Sequence, residues 1–168
     1  MQTKLYDLLT ALTPYSVIKA YQNGIEPTEP FITYALKFEQ TPEHVLFSPV
    51  DSQGRQRIYT HVDVTLELQG FGERSSEILR DIAMKAQTQT GREQWERLGV
   101  ALVNVGRITE LPFLDEAKRY RMRSILECFL RYRVETQDVV SFIETVKVNH
   151  QLNALRGEQT IGVHHGED

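Results

Sequence analysis

One cysteine, Cys128, stands in 168 residues, so no disulfide can form within the chain and no cysteine-rich zinc site can be built. That usage fits a protein made and kept in reducing cytosol. No run approaches the roughly 18 consecutive apolar residues that a membrane-spanning helix needs. Residues 1–12 are amphipathic and lack the basic start and apolar run of a signal peptide, so none is expected. A basic excess is missing too: the formal net charge is -4, which argues against a general nucleic-acid binder. No internal repeat or coiled-coil heptad is visible. What remains is an ordinary globular balance, 40% hydrophobic and 25% charged, in a chain long enough for one domain with its own core.

Leu5, Leu8, Leu9 and Leu12 recur at helical spacing and predict a short amphipathic helix over 3–12, stopped by Pro14. Val17, Ile18 and Tyr21 begin an extended segment, and residues 31–38 alternate as a strand. Prolines and a Gly-containing turn make 40–57 a long loop. The clearest strand follows. Ile58, Thr60, Val62, Val64, Leu66 and Leu68 take one face; Tyr59, His61, Asp63, Thr65, Glu67 and Gln69 take the other. Strict alternation of this kind belongs to a sheet with one dry face, hence antiparallel rather than buried parallel strands.

After the Gly70-Phe71-Gly72 break, Ser75 or Ser76 offers an N-cap, and Ile78, Leu79, Ile82, Ala83 and Ala86 form a helical stripe. Residues 87–97 read as a polar link and 100–105 as a short strand. Residues 119–134 read as a long strand and 139–148 as a last apolar segment, helical at first. The expected fold is α+β: a single-domain antiparallel sheet with two to three helices packed mainly on one face, in the order α-β-β-β-α-β-β-α. The domain is expected to span residues 1–148, with 149–168 a flexible C-terminal tail of few apolar residues and no periodicity.

Catalytic candidates are thin. Gly70-Phe71-Gly72-Glu73-Arg74-Ser75 echoes a dinucleotide fingerprint, but the strand before it is amphipathic where a parallel Rossmann strand would be buried. His44, His61, His150 and the His164-His165 doublet have no metal-ligand spacing. Cys128 falls on an apolar strand face, where a small core hydrophobe is the usual role. Asp63 and Glu67 share a face, as spaced surface acids commonly do. The expectation is no enzyme, no catalytic, cofactor-binding or metal residues, and no cofactor.

One feature exceeds what folding requires. Arg119, Arg121, Arg123, Arg131 and Arg133 line one face of the last long strand, with Ile125, Glu127 and Phe129 between them. A row of like charge repels itself unless acids face it. Asp63 and Glu67 could neutralise it within the chain. Alternatively the face, with Arg121, Arg123, Phe129, Arg131 and Arg133 as its interface residues, meets an acidic surface of a neighbouring subunit or partner, and on a neighbouring subunit Glu26, Glu29 or Asp51 would serve as complements. Phosphate contact is a third reading, weakened by the net acidity.

Three stretches together resemble the tail-terminator, or neck-terminator, proteins of tailed bacteriophages. Pro30-Phe31-Ile32-Thr33-Tyr34 is similar to the start of that family's first sheet strand. Val62-Asp63-Val64-Thr65-Leu66-Glu67-Leu68-Gln69-Gly70-Phe71-Gly72, leading into the helix over 75–86, resembles its long strand, glycine break and crossing helix. Val105-Gly106-Arg107-Ile108, Leu111-Pro112 and Tyr120-Arg121-Met122-Arg123 resemble its closing hairpin. The resemblance covers about residues 3–148 and carries no catalytic motif. It implies a structural virion protein of the tail or neck, made in the host cytoplasm. It further implies a homo-oligomer, commonly a hexameric ring, that caps the tail tube and joins it to the head-side connector. The implied partners are itself, the tail tube protein and head-tail connector proteins, with no membrane and no specific nucleic acid. The alternatives are another head-tail adaptor or tail-completion protein, or a small nucleic-acid-binding α/β module resting on the arginine face.

Overall fold

Period-two alternation becomes a sheet here, and the leucine stripes become the layer that covers it. The computed structural model describes residues 2–40, 44–115, 117–140, 145–152 and 155–162. These form two compact units, the first within Met1–Pro42 and His61–Arg133, the second within Glu43–Thr60 and Val134–Asp168.

The chain opens with helix α1 (Gln2–Leu12), then strands β1 (Ser16–Lys19), β2 (Phe31–Lys37), β3 (Leu46–Phe47) and β4 (Arg55–Phe71). Helices α2 (Ser75–Ala86) and α3 (Gln89–Leu98) lead into β5 (Val100–Glu110), a short β6 (Phe113–Leu114) and β7 (Tyr120–Arg121), and the long β8 (Arg123–Val139). The last described elements are β9 (Thr145–Leu152) and β10 (Leu155–Gly162). The main sheet has the order β1-β2-β4-β8-β5, with β3 paired to β4. Pairing is antiparallel for β2 with β4 and β5 with β8, while β1 runs parallel to β2. The α+β expectation holds.

In the first unit, Ile32 and Tyr34 of β2, Val64, Leu66 and Leu68 of β4, and Leu126, Cys128 and Leu130 of β8 form one buried face. Against it pack the four leucines of α1, with Ile78, Leu79, Ile82 and Ala86 of α2 and Trp95 of α3. A fully buried leucine such as Leu79 or Leu126 contributes about 1.5–3 kcal/mol over leaving it in water. Among the described residues, Ser75 Oγ and Ser124 Oγ form a buried polar pair in this layer, 2.9 Å apart. Ser75 is therefore spent on the sheet and not on capping, and α2 starts without a side-chain cap.

Two expectations need correction. The polar link at 87–97 is largely helix α3: Thr88 Oγ1 accepts from the Gly91 amide at 3.1 Å as N-cap, and Gly99 closes the helix at φ 69°. Gly91 is required because a Cβ there would fall 2.2 Å from the Lys85 carbonyl oxygen. The last apolar segment, 139–148, is strand at 139 and 145–148, while most of the helical start expected in it, 141–144, lies outside the described residues. Val139 ends β8, and β9 is a strand paired in antiparallel register with β10, from Thr145↔Gly162 to Leu152↔Leu155. Alternating β-branched residues in Thr145-Val146-Lys147-Val148 favour that outcome over a helix. Strand thus covers 149–152 and 155–162 of the expected tail, while 163–168 lie outside the described residues.

The second unit begins with the β3–β4 hairpin, Leu46 opposite Tyr59 and Phe47 opposite Ile58. Its turn is closed by Asp51, whose carboxylate accepts from the Gln53 and Arg55 amides at 2.9 Å and holds the Arg55 guanidinium at 2.8 Å. Gly54, at φ 74°, supplies the left-handed residue that this turn needs, and its carbonyl accepts from Val140 N–H at 2.8 Å.

Candidate functional site

Alternation along β8 sends Ser124, Leu126, Cys128 and Leu130 into the core and Arg123, Phe129, Arg131 and Arg133 to the opposite face. Arg121 stands apart, on β7, separated from β8 by Met122, whose carbonyl accepts from the Gly72 amide at 3.0 Å. The five interface candidates therefore occupy one face but two strands.

Each arginine with a described bond has its acid within the chain. Arg121 donates to Glu29 through Nε at 2.7 Å, and its terminal nitrogen bonds both Glu26 and Glu29. Hydrogen bonds to Glu26, then Glu29, hold this guanidinium even more firmly protonated than usual. Arg131 grips Asp63 with both arms, Nε to Oδ1 at 2.6 Å and a terminal nitrogen to Oδ2 at 2.7 Å. That bond is the largest cause holding the Asp63 carboxyl below the usual carboxylate range. Asp115 accepts from the Arg119 amide at 2.8 Å, with the Arg119 guanidinium at 3.4 Å. The acids offered as complements on another subunit, Glu26, Glu29 and Asp51, are thus engaged inside their own chain, Asp51 with Arg55.

Glu67 behaves differently from the simple expectation. It is buried, and its carboxylate takes Lys37 Nζ at 2.6 Å and Gln69 Nε2 at 2.7 Å. Burial pushes its carboxyl up, but the Lys37 and Gln69 hydrogen bonds outweigh this and the net direction is down; Arg123 adds a smaller attraction. Asp63 therefore neutralises an arginine, whereas Glu67 chiefly neutralises a lysine.

Arg123 is held by an aromatic cluster. Its guanidinium lies 5.4 Å from the Phe113 ring centre, and that of Arg121 lies 5.5 Å from it. Phe113 meets Phe71 edge-on at 6.1 Å, and Phe71 stacks on Phe31 at 4.6 Å. Phe113 is the part of this surface that the sequence reading did not name, and Glu26 and Glu29, expected there as complements on another subunit, pair within the chain instead. Phe129 is 42% exposed, a large apolar side chain among these charges.

The remaining sequence candidates are dispersed. Cys128 is buried, and burial alone pushes its thiol up to about 12, far from a reactive thiolate. Gly70 sits where a Cβ would lie 3.1 Å from the Ser75 carbonyl oxygen, and Gly72 adopts φ 106°, so both glycines answer to the strand-to-helix turn. The His44 carbonyl accepts from Thr60 Oγ1 at 2.6 Å, and His150 lies in β9. His164 and His165 lie outside the described residues. Among the described residues no three metal-ligating side chains come together, and no helix is long and apolar enough to cross a membrane.

The arrangement is a pre-ordered polar surface on a rigid sheet, suited to contact and lacking a nucleophile–base pair among the residues considered. A search of curated proteins finds no match. A family model described as phage neck terminator protein matches residues 1–153, most of the chain and all three stretches that carried the resemblance. The chain therefore belongs to the phage neck terminator protein family, a family of structural proteins of the phage neck and tail.

Proposed function

We propose that this neck protein works as a closed ring of identical copies, six as the resemblance implies, that caps the tail tube and joins it to the head-side connector. The observation that carries the reading is the family match across 1–153. The described surface supports it. Arginines held in fixed positions by acids, beside the exposed Phe129, make a pre-organised face for a neighbouring copy and for proteins of the tube or connector. The same in-chain pairing of Arg121 and Arg131 argues against phosphate contact, because both charges are already met. We assign Arg121, Arg123, Phe129, Arg131 and Arg133 to that partner-facing surface.

Native mass measurement with electron microscopy of the purified protein tests the reading. One closed species of a single size, bound at the end of purified tails, is expected. A monomer at every concentration, with no binding to tails, would overturn it.

A further inference from the structure

The main sheet has two outer strands, β1 and β5, at opposite ends of the order β1-β2-β4-β8-β5. β1 and β2 run side by side in parallel and stop close together, β1 at Lys19 opposite Tyr34 and β2 at Lys37. Just beyond each end stands an aromatic residue in the left-handed region, Tyr21 at φ 60° and Phe38 at φ 52°. They are 80% and 79% exposed. Bulky side chains rarely take this conformation, and strained positions of this kind concentrate where a surface is used. Lys37 bridges the corner, 5.7 Å over the Tyr21 ring while bonded to Glu67.

At the far edge, β5 and α3 enclose a groove of about 800 Å3 whose lining mixes apolar Trp95, Leu102 and Val103 with polar Gln89, Arg92 and Glu93. Trp95 is buried, yet its indole N–H finds no acceptor among the described residues. The β5–β8 ladder shifts register between Leu102 and Asn104 and again between Val105 and Ile108. Such irregularities blunt strand-on-strand pairing at an edge. What β5 offers a neighbour is therefore a concave side-chain surface rather than a free strand edge.

A ring needs two different, complementary patches on opposite sides of each copy. We propose that Tyr21 and Phe38 of one copy seat in the β5–α3 groove of the next. This rests on the ring reading above and names its contact. Projecting aromatics suit a concave groove with apolar side chains such as Leu102 and Val103 in its lining, and the polar side chains around them, Gln89 and Glu93 among them, can meet the Tyr21 hydroxyl.

The test is the double variant Tyr21→Cys with Val103→Cys, treated with a short bismaleimide after native mass has shown the assembled ring. Within one chain the two edges are four strand spacings apart, about 19 Å, too far for the reagent, and Cys128 is buried. A ladder of covalent species ending at the ring size is expected, with neither single variant giving it. An assembled ring that yields no ladder overturns the contact but leaves the ring standing; a protein that never assembles sinks the ring reading itself. As a second arm, Tyr21→Asn with Phe38→Asn keeps residues that tolerate the left-handed region. The melting curve should stay as in wild type while the assembly shifts to smaller species. An intact ring in that variant would overturn the proposal.

Discussion

The two faces of the main sheet are made by the same strands and differ only in residue parity, yet they are stabilised by different physics. The helix-covered face is closed by apolar packing around Leu66, Leu68, Leu79 and Leu126, and its one described polar pair, Ser75 with Ser124, is satisfied internally. The other face carries Lys37, Asp63, Glu67, Arg123 and Arg131, each buried or held by a partner across neighbouring strands. Packing defends a volume and fails by leaving a cavity; polar compensation defends a charge balance and fails by leaving an orphan. The first face sets whether the chain folds, the second what it presents.

The comparison breaks hardest at Leu126, which is 0% exposed. Leu126→Ala should cost about 2–5 kcal/mol, through lost burial and the cavity left between β8 and the helices. Denaturant unfolding followed by circular dichroism measures it. A loss below the cost of an exposed substitution would mean that the helical layer collapses into the gap and that the core is looser than its burial indicates.

Glu67 sits between the two regimes, buried like the core but charged like the open face. Glu67→Gln removes the charge that Lys37 meets and turns one of the two accepting oxygens into an NH2 donor, so it should cost about 1–3 kcal/mol at neutral pH. The pH dependence has a definite sign. The folded carboxyl lies below its unfolded value, so its contribution is fully present above the unfolded pKa of about 4.3. It is lost as pH falls through the folded value. Asp63, lowered chiefly by the Arg131 bond, acts in the same direction. Wild type should therefore lose stability in that acidic window, and the variant should lose less. Equal acid slopes in the two proteins would show that Glu67 titrates as it does in the unfolded chain.

Legibility in the sequence follows the same division. β4 and α2 could be read because each carries an uninterrupted apolar period, and β8 because its core and outer residues alternate cleanly. Helix α3 was hidden because Trp95 and Leu98 are the only large apolar residues in its span; the readable signals were Thr88 and Gly99, its caps. β9 went unnoticed because Thr145–Leu152 has only Val146, Val148 and Leu152 as apolar residues, too short a pattern to declare its period. On the open face the arginines were found by type and parity, and Asp63 was named as a neutralising acid and pairs with Arg131, but that Glu26 and Glu29 close on Arg121 within the same chain was not legible. Glu29 lies 92 residues from Arg121 in the chain, and no local spacing brings them together. Lys37 reaches Glu67 through the β2–β4 register, in which Ala35 stands opposite Glu67, and such a diagonal pair depends on knowing which strands are neighbours.

The smallest effect is expected where the open face is most polar. Arg131 and Asp63 form a two-armed pair, but the side chains are 50% and 43% exposed, so water and salt compete for both. Arg131→Gln should move the melting temperature little, and added salt should erase what difference there is. Yet Arg131 lies on the face assigned to contact, so the same substitution should weaken binding to purified tails and steepen its loss with salt. Measured together, the two readouts separate presentation from folding. A variant that melts early but binds normally would place Arg131 with the core residues as a stabiliser. One that melts normally and binds weakly would show that its order exists for the partner.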